Sequence, residues 1–561
     1  QADLLHLTEV FHLTAAVQVE VYRQTEAQRQ LKVRLAHQAE VFLQAEVLLR
    51  LVRQADLLRQ VAVVIEEIKM KSILNKTWVI LLTSITLNSY AQNEADAFQF
   101  SQESINGSAR FNALGGAFTA LGGDISGVYY NPAGAGVYQK SEWSVSLALH
   151  SNLSSADFLG NQTIGGKSNG NIPTLGFVAV QKEMSGKWRN GAFSFYLNRA
   201  NTFQRSFNYQ GNGSNTSVLD TYINTLEANG TTPSALSDSE NPAYPYDIHL
   251  AWNNYLIDVD TLNGNYFTAT GLDPIGQSYQ QNVSGAKRET AISYGANYDD
   301  KLYIGAGLIF SRIVFDKKTT YTESTPTSDT TTYMNDFIYK FNENTSGLGV
   351  ALNLGLIYRP TKSVRLGASV KTPTRYNLDI TYSSSNVANF ETTTLSTLSP
   401  FVGEYNYTMR TPLRANVGAA YLFGKFGLVS VDAEMVNYSG TQLVKGTDGY
   451  QFGTENKALN TSLNTSYNVR VGAEYRITSF WIARAGYANY MNPYKTSVDD
   501  NAGFQIYSLG AGYRNEDFFV DASYQIKMSE AVHYAYDQSY ANRAKINFQD
   551  HFITVTAGYR F

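Results

Sequence analysis

Cysteine is absent from the 561 residues, which excludes disulfide bonds, thiol nucleophiles and thiolate metal sites. Charge is scarce as well, because only 16 % of the residues are charged, whereas a soluble protein has about 25 %. The formal net charge of −4 gives no electrostatic reason to expect a nucleic-acid partner. Mean hydropathy is −0.25 and runs of about 20 apolar residues are missing, which argues against a bundle of transmembrane helices. Something other than charge must therefore cover much of the surface.

Tyrosine and glycine are abundant, with 39 and 43 residues respectively, but no catalytic motif accompanies them. The histidines beyond residue 91 are scattered along the chain, at His150, His249, His533 and His551. The glycine-rich run at 115–123 lacks the flanking strand and helix and the Gly-Lys-Ser/Thr of a phosphate-binding loop. We therefore expect a protein that is not an enzyme and that carries neither a cofactor nor a metal ion.

Residues 1–69 differ from the rest of the chain, because they contain no Gly, Pro, Asn, Ser or Met. A six-residue rhythm runs through them, as in Gln38–Leu43 and Gln44–Leu49. A period of six cannot keep an apolar stripe on one side of a helix with 3.6 residues per turn. We interpret this part as an upstream or non-native extension, with a disordered or loosely helical extension as the alternative.

A secretory signal peptide is predicted directly after this part. Two lysines follow Met70, and Trp78–Leu87 forms an apolar core that is too short to span a bilayer as a helix. Ser89–Ala91 then supplies the small residues of a cleavage site. We expect a signal peptide over 70–91 and cleavage before Gln92, with an N-terminal membrane anchor as the alternative.

From residue 142 onward, apolar and polar residues alternate in short segments, which is typical of half-buried strands. The last segment is the clearest, and one of its faces carries Ile553, Val555, Ala557, Tyr559 and Phe561. In this way we predict fourteen strands, near residues 142–150, 172–182, 190–203, 289–298, 301–315, 346–359, 363–383, 404–423, 426–437, 466–477, 480–490, 504–513, 517–528 and 548–561.

The connectors between these strands alternate between long and short. Tight turns such as Asp299-Asp300 and Gly424-Lys425 alternate with long polar stretches, among them 151–171, 204–288 and 529–547. Long loops on one rim and short turns on the other are the arrangement of an outer-membrane barrel. We therefore predict an all-β, transmembrane antiparallel barrel over 142–561, with a soluble sandwich as the alternative.

Aromatic residues collect near the ends of the predicted strands, as in the interfacial girdles of membrane barrels. They are Trp143, Tyr475, Trp481, Tyr487, Tyr513 and Tyr559. The alternating series that ends in Tyr559 and Phe561 resembles the C-terminal signal read by the outer-membrane barrel assembly machinery. This resemblance implies the machinery as a partner.

Residues 107–136 read GSARFNALGGAFTALGGDISGVYYNPAGAG. This segment closely resembles the N-terminal region of the long-chain fatty-acid transporter (FadL/TodX-type) family of Gram-negative outer membranes. In that family the segment forms a hatch inside a fourteen-stranded barrel and carries an Asn-Pro-Ala motif, matched here by Asn131, Pro132 and Ala133. The resemblance implies a hatch over 92–141. The alternative for the tripeptide is a simple turn that leads into the first strand.

The resemblance extends to Gly347–Pro373, to the hairpin around Gly424 and to Asn468–Tyr487. It implies an outer-membrane protein, in contact with the lipid bilayer, that allows passive uptake of hydrophobic compounds such as long-chain fatty acids or aromatic hydrocarbons. We expect a monomer. The alternatives are a weakly selective porin for polar solutes and a structural or adhesive surface barrel.

The polar faces of the predicted strands carry charges of both signs, at Arg414, Asp432, Glu434, Arg470, Glu474, Arg476, Arg484 and Asp521. These charges are interpreted as a structural network inside a narrow barrel. The alternative is that Arg414, Arg470 or Arg484 attracts a substrate carboxylate, since arginine binds carboxylates in bidentate geometry.

The longest predicted loop contains an apolar group, formed by Leu250, Trp252, Tyr255, Leu256 and Ile257. An exposed apolar patch of this kind predicts a landing site for hydrophobic compounds, with packing against other loops as the alternative. In the family that the sequence resembles, substrate leaves through an opening made by a kink in the third strand. Arg199 interrupts the apolar face of that strand here, and we interpret it as an interfacial residue rather than a kink.

Overall fold

The computed structural model describes residues 94–561, except 183, 237–245, 261–262, 271–273, 327–333, 399–402, 447 and 499. The predicted extension over 1–69 and the predicted signal peptide over 70–91 lie outside the described residues. Within the described part of the chain, no helix combines the length and the apolar character that a membrane span requires.

Fourteen antiparallel strands form one closed barrel, which confirms the predicted all-β fold. The barrel closes because β1 pairs with β14, from Glu142–Arg560 to Asp157–Lys545. The strands are β1 (Glu142–Phe158), β2 (Asn161–Asn171 and Thr174–Lys182), β3 (Trp188–Thr202 and Arg205–Ser214), β4 (Ile275–Tyr298), β5 (Leu302–Ser324), β6 (Met334–Tyr358), β7 (Val364–Lys371 and Arg375–Phe390), β8 (Gly403–Arg410 and Arg414–Leu422), β9 (Gly427–Asn437 and Gln442–Gly446), β10 (Thr465–Arg476), β11 (Trp481–Tyr490), β12 (Phe504–Arg514), β13 (Phe518–Tyr534) and β14 (Arg543–Arg560).

Three of the interrupted strands break beside a proline, namely β2 at Pro173, β7 at Pro373 and β8 at Pro412. Proline has no N–H to give to a strand ladder, so the hydrogen bonding is interrupted there.

The outer face of the barrel is apolar, as the alternation predicts. Ile553 and Val555 of β14 are exposed by 51 % and 44 %, whereas Thr554 between them is buried. Most of the predicted girdle aromatics, including Trp143, Tyr475 and Trp481, are exposed near the short turns. An apolar exterior with alternating polar residues inside is the pattern of a barrel that faces lipid.

The structure corrects the predicted loop over 151–171. β1 continues to Phe158, turns at Leu159-Gly160 and returns as β2, with a regular register from Phe158–Asn161 to Ala148–Asn171. Both faces of this hairpin are largely polar, because a strand that extends beyond lipid has no need of an apolar face. The period-two signal is therefore missing from the sequence.

Short helices lie inside the barrel and along the rim of long loops. Those inside are α1 (Glu94–Ser101), α2 (Ala109–Ala113), α3 (Ile125–Tyr130) and the 3-10 helix Pro132–Val137. In the connections between strands are α4 (Val218–Ala228), α5 (Pro233–Leu236), α6 (Tyr246–Asn253), α7 (Gly453–Ser462), the 3-10 helix Tyr438–Gly440 and the strands Ile257–Val259, Tyr266–Thr268 and Thr394–Leu398.

Candidate functional site

Residues 94–138, called the internal segment below, lie inside the barrel. Their hydrogen bonds reach distant parts of the wall, since the Ala109 N–H donates to Thr556 of β14 (2.7 Å) and the Thr119 N–H donates to Asp432 of β9 (2.8 Å). The segment is buried along most of its length. It therefore fills the lumen at this level.

The Asn-Pro-Ala motif is buried and fully hydrogen-bonded. The Asn131 side-chain amide donates to the carbonyl oxygens of Thr119 (2.6 Å) and Leu356 of β6 (3.1 Å). Its oxygen accepts the Ala133 N–H (3.1 Å). Pro132 begins the 3-10 helix, where a missing N–H leaves no unsatisfied partner. The motif thus ties the internal segment to itself and to the wall, and its role as a hatch stays a prediction.

Glu103, between α1 and α2, faces three cations of the wall. Its Oε1 lies 2.8 Å from Lys371 Nζ, 3.1 Å from Lys287 Nζ and 3.6 Å from Arg414 Nε. Glu289 of β4 also pairs with Lys371, at 2.8 Å. Burial alone would raise the pKa of the Glu103 carboxyl, but Lys371, Arg414 and Lys287 hold this pKa well below its usual range. Glu103 is therefore held as a carboxylate.

A second buried ion cluster joins the internal segment to β10 and β11. Glu474 lies 3.0 Å from Arg110 and 2.8 Å from Arg484, and Arg484 also pairs with Asp521 at 2.6 Å. Arg476, predicted to lie on the same inner face, is instead exposed near the short turn after β10. Its position in the sequence fits the inner face, but the strand ends there and the side chain reaches the surface.

The three arginines that the sequence suggests as substrate contacts are buried and already have partners. Arg414 pairs with Glu434 (3.4 Å) as well as with the carboxylate of Glu103. Arg470 donates to Asn416 and its guanidinium lies 5.1 Å from the ring centre of Tyr130. None of the three arginines lines the cavity described next. The geometry favours the structural-network interpretation for them.

A cavity of about 260 Å³ lies between α1, the middle of β3 and the strands β13 and β14. Its aromatic lining includes Phe98, Phe203, Phe207, Tyr494, Phe504, Phe548 and Phe552. Two cations also line it: the guanidinium of Arg205 lies 4.1 Å from the ring centre of Phe548, and Lys527 Nζ lies 4.2 Å from that of Phe504. Neither cation forms an ion pair with any residue in the described part of the chain. The carboxyl groups of Asp500, Glu530 and Asp550 line the cavity as well, so it combines an apolar wall with charges of both signs.

β3 turns away from β2 beside this cavity. The ladder between the two strands ends at Thr174–Asn198, next to Pro173. The second half of β3, Arg205–Ser214, pairs with β4, whereas the β2 segment Asn161–Asn171 pairs with β1. Among the described strands, no ladder joins these two halves, and a side-chain hydrogen bond connects them instead, since the Thr163 hydroxyl donates to the Asn208 carbonyl oxygen (2.5 Å).

The structure corrects the interpretation of Arg199. Its side chain is only 4 % exposed and donates to the carbonyl oxygen of Gly285 (3.2 Å), so it does not reach an interface with lipid headgroups. The register between β3 and β4 shifts between Arg199 and Asn201. Arg199 thus marks the kink, because its guanidinium donates to the same carbonyl that accepts the Phe203 N–H beyond the register shift.

The predicted apolar loop group is divided in the structure. Leu250, Leu256 and Ile257 are buried in the packing of the rim, with exposures of 0 %, 0 % and 1 %. Tyr255 is 65 % exposed, and it lines a separate pocket together with Trp252 and Ile257. The packing alternative therefore applies to most of the group.

Tyr559 and Phe561 lie on the outer face of β14, exposed by 43 % and 58 %. The backbone N–H and C=O of Phe561 both pair with Ser141, each at 3.0 Å. These contacts place Phe561 at the seam between β14 and the start of β1. Recognition by the assembly machinery stays a prediction.

Sequence reasoning missed Glu103, Lys287 and Lys371, because single charges in a strand or a turn carry no motif. Arg205 and His533 of the cavity fell in stretches interpreted as loops. One signal was available, since Ala544 and Ile546 alternate with polar residues upstream of the last predicted strand and lie on the same, inner face as Phe548 and Phe552.

A closed barrel with an apolar exterior, a filled lumen and a mixed cavity beside a kinked strand defines a membrane-spanning β-barrel. The chain belongs to the outer membrane protein transport protein family (OMPP1/FadL/TodX), whose profile matches residues 276–561. At the level of this family it is a transport protein and not an enzyme.

Three solved structures are similar to this chain. A FadL homologue of Pseudomonas aeruginosa shares 12 % identity over 82 % of this chain and 99 % of its own, with a TM-score of 0.50. The toluene transporter TodX of P. putida shares 12 % identity over 82 % and 99 %, with a TM-score of 0.47. The toluene transporter TbuX of Ralstonia pickettii shares 15 % identity over 82 % and 99 %, with a TM-score of 0.43. Among curated proteins, none matches the chain.

Proposed function

We propose that this protein carries hydrophobic small molecules passively across the outer membrane of a Gram-negative cell. The observation that carries the proposal is the position of the cavity, which is lined by the kinked part of β3, from Asn201 to Arg205. A hydrophobic compound held there lies next to the place where the wall has no ladder. Membership of the transport family and the apolar exterior support the same function and the same location.

The proposed path runs from the rim of long loops into the cavity and then sideways between β2 and β3. Apolar solutes partition into lipid, so a lateral exit delivers them to the bilayer without a water-filled channel. The internal segment serves as the hatch that keeps the lumen closed. Long-chain fatty acids and aromatic hydrocarbons both fit an aromatic cavity, and the solved toluene transporters of the family support the second class.

The alternative of a weakly selective porin requires an open aqueous path. The internal segment opposes it, because its contacts reach β6, β9 and β14 across the lumen. A purely structural or adhesive barrel has no use for an aromatic cavity beside a kinked strand of its own wall.

Planar-bilayer conductance and uptake into proteoliposomes test the proposal together. We expect the intact barrel to show little steady conductance and to admit an apolar probe such as toluene or dodecanoate, but not a sugar of similar size. Deletion of residues 92–136 is expected to raise the conductance. A large steady conductance of the intact protein would establish the porin instead.

A further inference from the structure

His150 has one ring nitrogen without a hydrogen-bond partner in the described part of the chain. The side chain lies on the inner face of β1, is 1 % exposed and lines the cavity. Its Nε2 lies 3.1 Å from Asp550 Oδ1, whereas no polar atom of the described residues reaches Nδ1. Buried polar atoms in folded proteins almost always have a partner. An unpaired nitrogen that lines a cavity is available to a molecule bound there.

The carboxylate of Asp550 determines which nitrogen of His150 carries the proton. In a neutral imidazole one nitrogen donates and the other accepts. Because a carboxylate only accepts, Nε2 carries the proton and donates to Asp550, and Nδ1 is left as an acceptor. The ring plane is fixed as well, since the ring stacks parallel on Phe552 with 4.3 Å between the ring centres. The Nδ1 lone pair is therefore held in one orientation.

Further hydrogen bonds hold Asp550 in its place. The Asn152 amide donates to the same Oδ1 of Asp550 (2.7 Å), and the Ser206 N–H donates to the Asn152 side-chain oxygen (3.0 Å). Asn152 is fully buried on β1, and Ser206 is buried near the start of the second half of β3. Supporting bonds of this kind fix the position of a group that binds a ligand. They join His150 to three strands of the wall.

The cavity contains two more polar atoms of this kind. Gln204 Oε1 and Ser529 Oγ are buried, line the same cavity and have no partner among the described residues. Hydrocarbons carry no hydrogen-bond donor, so a cavity for hydrocarbons alone gains nothing from such atoms. A hydroxyl group supplies the donor that Nδ1 lacks, and the apolar body attached to it packs against the aromatic lining.

We propose that His150 Nδ1 accepts a hydrogen bond from a hydroxyl group of the substrate, so that the cavity selects hydroxylated apolar compounds such as phenols over the corresponding hydrocarbons. This inference rests on the proposed function, which it deepens by naming a substrate class. His150 is the residue that contacts the hydroxyl group, and Asp550 is a positioning residue. An ionised carboxylate cannot take the place of the hydroxyl group, because it has no proton to donate.

Binding of p-cresol and of toluene to the full chain in nanodiscs tests the proposal, with empty nanodiscs subtracted. The two compounds differ only by the hydroxyl group. His150→Phe removes both ring nitrogens and keeps a ring against Phe552, while Asp550 keeps the hydrogen bond from Asn152. We expect this variant to bind p-cresol about tenfold more weakly and to bind toluene with unchanged affinity.

His551→Phe is the matched control, because His551 lies on the outer face of β14, where its ring pairs with the Tyr524 hydroxyl (2.7 Å) away from the cavity. It is expected to leave both affinities unchanged. Unchanged binding of p-cresol by His150→Phe, or an equal loss for toluene, would overturn the proposal.

Nitrogen-15 NMR of the protein with labelled histidine gives a test that does not depend on assembly of the variant. We expect a histidine Nδ1 without a proton, whose signal shifts when p-cresol binds and stays in place with toluene. The absence of such a signal while p-cresol is bound would equally overturn the proposal. If both compounds bind but His150→Phe does not distinguish them, only this inference fails. If neither compound binds or enters, the proposed function fails.

Discussion

Phe203 donates its backbone N–H to the carbonyl oxygen of Gly285 (3.2 Å) at the point where β3 leaves its regular register with β4. The same carbonyl accepts the Arg199 guanidinium (3.2 Å). Gly285 has a φ of +109°, which only glycine adopts readily, so the bulge in β4 depends on this residue. The kink of β3 therefore has its origin in the neighbouring strand β4 as well as in β3 itself.

Gly285→Ala should destabilise the barrel by about 1–3 kcal/mol, since the new Cβ would collide with the Val314 carbonyl oxygen and the backbone is strained there. Urea unfolding in detergent measures the loss. Gly170→Ala is the control, because a Cβ at Gly170 meets no atom within 4 Å. The control should change stability by less than about 0.5 kcal/mol. Equal stability of the two variants would show that the kink does not need glycine.

Asn131→Asp should loosen the internal segment, because the new carboxylate faces the carbonyl oxygens of Thr119 and Leu356 that the amide now satisfies. The expected cost is about 1–3 kcal/mol in unfolding free energy, together with a higher bilayer conductance. Asn515→Asp is the control, since Asn515 is exposed and only accepts the Glu516 N–H, which an aspartate also accepts. If Asn131→Asp changes neither the unfolding free energy nor the bilayer conductance, the role of the motif in holding the internal segment is contradicted.

Arg484→Gln should cost about 3–5 kcal/mol of stability, because Glu474 and Asp521 each lose a buried partner. Arg189→Gln, which removes an exposed partner of Asp299, should cost less than about 1 kcal/mol. Denaturation measures the loss of stability in both variants. Normal stability of Arg484→Gln with a selective loss of dodecanoate binding would instead favour the sequence-based hypothesis of a substrate contact.

Arg205→Gln and Lys527→Gln should each weaken dodecanoate binding by about tenfold, or about 1.4 kcal/mol, since these cations are the positive charges of the cavity. Dodecanol binding should change less than dodecanoate binding. Lys140→Gln, at an exposed pair with Asp517 outside the cavity, serves as the control. Equal losses for the acid and the alcohol would mean that the two side chains only shape the cavity.

The strands that face lipid are predictable from the sequence, because lipid on one side imposes an apolar face on every second residue. Val555 and Tyr559 follow this rule and are exposed on the outside. Beyond the bilayer the rule no longer applies, which is why Asn161–Asn171 reads as a loop although it forms a strand.

The kink and the site depend on partners far away in the sequence. The role of Arg199 depends on a carbonyl 86 residues away, at Gly285. A glycine within a strand is a known sign of a bulge, so Gly285 and Pro173 together were the available signal. The Glu103 cluster joins residues from four separate parts of the chain, and no spacing in the sequence reveals such a group.

The seam between β1 and β14 joins Glu142 to Arg560, whose side chains pair at 2.7 Å across 418 positions of sequence. Before the seam forms, the sheet is an open ribbon with two free edges, and its concave face is reachable from the side. Afterwards, access is possible only through the two rims. The internal segment contacts strands on both flanks of this ribbon, so it must be in place before the seam is sealed or thread through a rim later. The topology therefore constrains the order of folding. We expect the internal segment to fill the interior first and the seam between β1 and β14 to form last.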